Sequence, residues 1–321
     1  MLKLSCKITI GSYVFNYVQQ VQISTSWQKF TDTATIILPR HLKLANQPLN
    51  ELIKVNDEVS IELGYDDELK SIYSGYVTAV KPTTPIEIMC EDAMWLLKKG
   101  SITKTWRNAT ISGILNDVLP DGIKNITNES RTIGTFTAEK QSPAQILEKL
   151  KTDYAVVSYF KNGVLMVGAP YSQSIGEDSV AFAFNHSIID NNLEHKKAED
   201  TKVKVKAISN LADNSKLEET VGDEDGEERT LNFYDVKDKT LLKQSAQNLI
   251  STMKYDGMSG SFTTFGEPLV HHWQTVELID PTDEKKEGRF NIHNINRTFG
   301  MDGYRQEIEL GPFSKQPSNE S

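Results

Sequence analysis

The chain has 321 residues, 38% of them hydrophobic, and carries 35 Lys and Arg against 44 Asp and Glu, a formal charge of −9. That length supports two or three domains with sizeable cores. The acidic balance argues against a dedicated binder of nucleic acid or anionic membrane, whose affinity comes from clustered Lys and Arg, but not against a channel through which DNA slides without sticking.

The first stretch is strand-rich. Leu4, Cys6, Ile8 and Ile10 alternate with polar residues, Gly11-Ser12 turns, and residues 14–23 are expected to form a second strand. Residues 33–38 form a third, ended by Pro39, and 41–53 read as an irregular connector with a helical turn. Val59, Ile61 and Leu63 then alternate with Ser60 and Glu62, Tyr65-Asp66-Asp67-Glu68 turns, and residues 72–80 return with Gly75 at an expected bulge or bend. Pro82 and Pro85 close that strand before 86–90, and Glu91-Asp92 sit at the front of a short apolar helix, 93–97. Residues 1–98 are thus expected to form one β-barrel or sandwich-like unit.

Residues 101–170 read as a small α/β module. Asn108 is expected to cap a helix carrying Ile111, Ile114, Leu115 and Val118, stopped by Pro120-Asp121-Gly122. Ser142-Pro143 opens another helix, and Lys161-Asn162-Gly163 turns a hairpin. Residues 171–321 return to strands at 180–184 and 203–208. Residues 213–229 hold eight acidic and two basic side chains and read as a solvated, mobile loop. Asp235 or Asp238 starts the longest helix, whose stripe is Leu242, Ala246, Leu249 and Met253. The order of strand, charged turn, strand, turn and strand recurs from Thr275 to Leu310, which suggests a duplication of the first meander. The polar tail 314–321 is expected to fray.

Chemistry-bearing motifs are scarce. Gly257-Met258-Ser259-Gly260-Ser261 has Ser where a nucleophile elbow needs its second Gly, and no Walker or GxGxxG loop is present. His271-His272, read as strand neighbours, face opposite ways and do not share a metal. The acidic run starting at Asp223 puts Glu228 where a calcium loop needs Gly. Cys6 and Cys90 are too few for a disulfide scaffold or a zinc site and are expected to be buried free thiols. Trp27, Trp95, Trp106 and Trp273 could stack sugars, but core is the expected role for most of them. The N-terminus alternates rather than forming an apolar h-region, and no run approaches the ~18 apolar residues of a span. No signal peptide or membrane anchor is expected, and the fold forms in a reducing cytoplasm. No residue is nominated as catalytic, cofactor-binding or metal-binding, no cofactor is expected, and the chain is not read as an enzyme.

The layout as a whole resembles the late control gene D family of phage tail proteins, the baseplate hub also found as the N-terminal part of VgrG spike proteins. Carrying the resemblance are Ser26-Trp27-Gln28-Lys29-Phe30-Thr31-Asp32-Thr33-Ala34, Tyr73-Ser74-Gly75-Tyr76-Val77, Met89-Cys90-Glu91-Asp92 and Gln141-Ser142-Pro143. Thr264-Phe265-Gly266-Glu267-Pro268, Tyr304-Arg305-Gln306 and Leu310-Gly311-Pro312 complete it. The resemblance implies a β-rich α+β fold with two tube-type antiparallel β-barrels, 1–100 and 171–321, a small α/β middle domain, 101–170, and an acidic loop and helical insertion in the second barrel at about 211–257. It also implies a homotrimer whose pseudo-hexameric ring joins a hexameric tail tube to a trimeric central spike within a virion tail baseplate. Further implied partners are other baseplate proteins and DNA passing through the bore. Because the sequence ends soon after the second barrel, the spike is expected to be a separate chain. The competing readings are the hub of a type VI or extracellular contractile injection system, a tail-associated peptidoglycan hydrolase, and a glycan-binding adhesin.

Overall fold

The structure is a computed structural model that describes residues 3–39, 43–44, 47–129, 132–171, 179–283 and 286–314. It is a β-rich α+β fold. The first part contains β1 (Leu4–Ile10), β2 (Tyr13–Phe15), β3 (Gln20–Ser26) and β4 (Thr33–Leu38). The pair β5 (Lys43–Leu44) and β6 (Gln47–Pro48) and the turn of α1 (Leu49–Leu52) lead to β7 (Glu58–Tyr65), β8 (Glu68–Lys81), β9 (Ile86–Glu91) and α2 (Met94–Leu97). Period-2 alternation puts Ile8, Ile10, Ile23, Ile36, Ile61, Leu63 and Val77 into one core. Each such buried aliphatic side chain stabilises the fold by about 2 kcal/mol.

The single strand expected over 14–23 is two strands. β2 pairs with β1 whereas β3 pairs with β4, on the far side of the sheet, so residues 16–19 must carry the chain across. At Gly75 a Cβ would lie 2.2 Å from the Glu91 carbonyl oxygen, and register shifts flank it on both sides. Only a residue without a side chain lets β8 and β9 approach there.

The middle module comprises β10 (Ile102–Trp106), α3 (Ile111–Val118), β11 (Asn125–Thr127), β12 (Phe136–Gln141), α4 (Pro143–Tyr154), β13 (Val157–Lys161) and β14 (Val164–Gly168). Thr110, not Asn108, caps α3, accepting from the Gly113 N–H at 3.1 Å; Asn108 sits in the preceding turn at φ 51. Ser142 and Gln145 form a capping box at α4. Asn162 and Gly163 both take positive φ, the geometry a two-residue hairpin turn requires.

The last part contains β15 (Ser179–Ala183), β16 (Ile188–Lys196), β17 (Val203–Asn210), β18 (Lys216–Gly222), β19 (Glu227–Tyr234), α5 (Lys239–Met253), β20 (Gly257–Phe265), β21 (Thr275–Ile279), β22 (Gly288–Gly300) and β23 (Gly303–Phe313). The acidic stretch 213–229 is therefore not a loop. It supplies β18 and the start of β19, which flank β17 in a three-stranded sheet. Lysines on β17 neutralise its carboxylates: Lys206 meets Glu218 at 2.8 Å and Lys204 meets Glu228 at 3.5 Å. Val203, Val205, Leu231, Phe233, Leu242 and Ala246 share one core with Ile111, Leu115, Phe136, Leu147 and Tyr154 of the middle module. The tail 315–321 lies outside the described residues.

A thirteen-stranded sheet runs through both ends of the chain. Its first half has the spatial order β1-β7-β8-β9-β4-β3, and its second half β15-β21-β22-β23-β20-β16. Ranked by chain order, both read first, fourth, fifth, sixth, third, second. The recurrence expected from the two meanders thus extends to six strands per half. One pairing differs: β1 and β7 are antiparallel, β15 and β21 parallel.

Candidate assembly interface

The two halves meet edge to edge. β21 covers one end of β22, with Thr275 opposite Asn291. β3 covers the rest of the same edge, from Asn294 opposite Ser26 to Gly300 opposite Gln20. One long strand thereby serves both units. Ile295, Arg297 and Phe299 point into the cores, while Asn296 faces outward and its Oδ1 accepts from Ser24 Oγ at 2.9 Å.

Beneath this joint the signature residues converge on a buried polar centre. The Thr31 hydroxyl donates to Asp92 Oδ1 at 2.7 Å, the Asp92 N–H donates to the Asp32 carbonyl at 3.0 Å, and the Ser26 N–H donates to Asp32 Oδ1 at 3.1 Å. Burial and the neighbouring Asp92 hold the Asp32 carboxyl well above the usual carboxylate range. Burial likewise raises Asp92 to about 6. Two adjacent buried carboxyls resist full ionisation because neither water nor a full complement of cations compensates them. Arg297 supplies one fully buried guanidinium nearby, bonded to the Val270 carbonyl. Tyr73 closes the site, with burial pushing its phenol up.

An aromatic wall joins the middle module to this centre. Trp27 donates its Nε1–H to the His272 carbonyl at 2.7 Å and meets Tyr159 edge-on at 4.6 Å between ring centroids. Trp273 stacks on His271 at 4.4 Å and on Tyr159 at 6.1 Å. His271 and His272 lie in the turn between β20 and β21 rather than on a strand, because Glu267-Pro268 ends β20 before them. Burial lowers them to about 4 and about 3, and His293, bonded to Tyr171, to about 4. All three are held neutral. A small cavity of about 120 Å³ remains between Asp32, Asp92, Tyr73 and His272.

The other chemical candidates are dispersed. Among the described residues no group of three or more His, Cys, Asp or Glu is placed to hold a metal ion. Asp223 is taken up by Lys254 at 2.6 Å and Asp225 by Lys202. Cys6 and Cys90 are buried free thiols, the latter pushed up to about 12 by burial. Trp27 and Trp106 are core residues; Trp95 and Trp273 are half-buried. No helix among the described residues is long and apolar enough to cross a membrane.

Sequence reasoning missed the junction. Its one local signal is Arg297, a charge alternating in phase with Ile295 and Phe299 on an apolar face. The outer face of the same sheet is polar: Asn192, Ser261, Asn294, Asn296, Glu307 and Glu309 line a shallow depression across four strands.

No family model and no curated protein sequence matches the chain. Solved structures do. A tail protein from Neisseria meningitidis MC58 superposes with a TM-score of 0.70 at 12% identity, covering 96% of this chain and 96% of that one. The 43 kDa tail protein of prophage MuSo2 from Shewanella oneidensis gives 0.67 at 17% identity, covering 95% and 97%. An E. coli component of the type VI secretion system, described as structurally similar to the T4 bacteriophage tail proteins gp27 and gp5, gives 0.61 at 9% identity, covering 97% and 79%. The chain therefore shares, over nearly its whole length, a fold found in phage tail proteins and in a type VI secretion component.

Proposed function

We propose that this protein is a structural baseplate hub, a ring-forming adaptor between a hexameric tail tube and a trimeric central spike, located in the tail baseplate of a virion and not an enzyme. The observation that carries the reading is the repeated six-strand order joined through β3 and β22. A chain with two similar but unequal units presents sixfold-like and threefold surfaces at once when three copies close a ring. Each unit then acts as a tube-type barrel, and the polar outer face of the sheet lines the bore. Glu307 and Glu309 alternate there with buried neighbours, and their charge repels DNA phosphates so that the genome slides through without specific binding, whereas Glu87 and Glu91 are paired with Lys81 and Lys98. The middle module with its helical insertion packs outside the ring and meets other baseplate proteins.

A second reading, the hub of a type VI or extracellular injection apparatus, is supported by the fold of the E. coli secretion component. Light scattering tests the shared core of both. The expected mass is three times the 36.1 kDa of one chain. A stable monomer at micromolar concentration that forms no ring with tube or spike proteins overturns it. The hydrolase alternative predicts turnover of cell-wall material, which the hub reading expects to be absent.

A further inference from the structure

A cavity of about 330 Å³ opens where β12 and α4 of the middle module meet the ends of β17 and β19. Gly134, at φ 74, brings the two regions together. A Cβ there would lie 2.2 Å from the Tyr234 carbonyl oxygen, and the next residue, Thr135, donates its N–H to that carbonyl at 3.2 Å. A side chain at 134 would hold the two regions apart.

Alternation along β19 fixes what that side contributes. Leu231 and Phe233 take the core face, so Asn232 and Tyr234 take the outer one, and the parallel ladder sets Asn210 opposite Tyr234. Across the cavity, Lys149 and Asp153 stand one turn apart on α4. The buried rings of Phe136, Tyr154 and Phe233 close the floor.

The two charges are balanced without being paired. Lys149 Nζ donates to the Thr137 carbonyl at 2.9 Å and lies 4.9 Å from the centre of the Phe136 ring. Asp153 is half-buried; burial raises its carboxyl against the pull of Lys149, and no hydrogen bond among the described residues offsets it. An entering anion would meet Asp153, and an entering cation would meet Lys149. The exposed amides of Asn210 and Asn232 each bring a donor and an acceptor to the rim. Tyr234, 47% exposed, adds an aromatic surface with a polar tip. The volume stands at the small end of the range for small-molecule sites.

We propose that this cavity binds a neutral saccharide, one pyranose ring deep, with its hydroxyls on Asp153, Asn210 and Asn232 and its C–H face on Tyr234. Vicinal hydroxyls donate to carboxylate and amide oxygens and accept from amide N–H groups, so such a ligand satisfies the rim and carries no charge to oppose either Lys149 or Asp153. The binding function is additional to ring assembly and does not depend on it.

A saturation-transfer NMR titration of the full chain tests this with glucose, galactose, mannose and N-acetylglucosamine, and with glucosamine, glucose 6-phosphate and N-acetylarginine amide as charged probes. At least one neutral sugar is expected to bind with a roughly millimolar dissociation constant. Asp153→Ala and Tyr234→Ala are each expected to weaken it about tenfold, whereas Asn192→Ala on β16 leaves it unchanged. Thermal unfolding midpoints certify that the variants are folded, and Asn232→Ala, at an exposed rim position, gives the same readout should either of the first two unfold. No neutral sugar bound at about 50 mM overturns the proposal. So does binding that the site variants leave intact. Preference for the arginine amide overturns it in favour of a basic side chain of a protein partner, and preference for a charged sugar overturns the neutrality on which it rests.

Discussion

The two halves share one strand order and differ in what covers the strand at its end. β3 is enclosed by β22, and its sequence shows it: Val21 and Ile23 are buried in strict alternation. β16, its counterpart, reads Ile188-Ile189-Asp190-Asn191-Asn192, has a register shift between Ile188 and Asp190, and leaves Ile189 45% exposed. Charges and irregularities on an uncovered edge discourage indiscriminate strand pairing. The comparison teaches that a duplicated topology does not imply duplicated burial. One edge is satisfied within the chain; the other has no partner strand among the described residues.

Variants at matched positions probe that difference. The largest effect is expected at the enclosed joint. Trp27→Ala removes a buried aromatic and its bond to His272, costing about 4 kcal/mol in denaturant unfolding. Arg297→Met leaves the Val270 carbonyl unpaired and withdraws a buried positive charge from Asp32, costing about 3 kcal/mol. In the first half, Val80→Ala at a half-buried position of β8 is expected to cost about 1 kcal/mol. Equal losses at Arg297 and Val80 would break the proposed inequality of the halves.

The buried carboxyls predict a pH effect. Asp92 is raised to about 6 in the folded chain, so the native state holds a proton that the unfolded state has released between about pH 4 and 6. Its contribution to stability therefore falls as pH rises through that window. Asp92→Asn, which keeps an oxygen acceptor for Thr31 and Met94, is expected to gain about 3 kcal/mol relative to the parent across it and then level off. A flat difference sinks the assignment. The three neutral histidines act oppositely. Their depressed values add stability that is present above their unfolded range and lost as pH falls toward 4.

The smallest contrast is polar. Ser24→Ala forfeits a bond to Asn296 and is expected to cost about 1 kcal/mol. On β16, the strand that corresponds to β3, Asn192→Ala at an exposed position is expected to stay within about 0.5 kcal/mol in the isolated chain.

Much of the first half was legible because Val59, Ile61 and Leu63 alternate cleanly, and Ser142-Pro143 carries its own cap. β16 was not, since Asp190-Asn191-Asn192 has no apolar period to read. β18 reads as loop because its apolar Leu217 and Val221 flank Glu218 and Glu219, whose lysine partners come from β17 and α5. The polar centre was illegible for another reason. Asp32, Asp92 and Arg297 are brought together by pairings far apart in the chain, and of the three only Arg297, in phase with Ile295 and Phe299, leaves a mark on the local pattern.

Electron-microscopic images of the purified protein decide whether three copies close a ring. The expected particle is a three-lobed ring whose inner wall shows six similar sheet units around a bore. Single compact particles of one chain's size at micromolar concentration, with no ring among them, would contradict it.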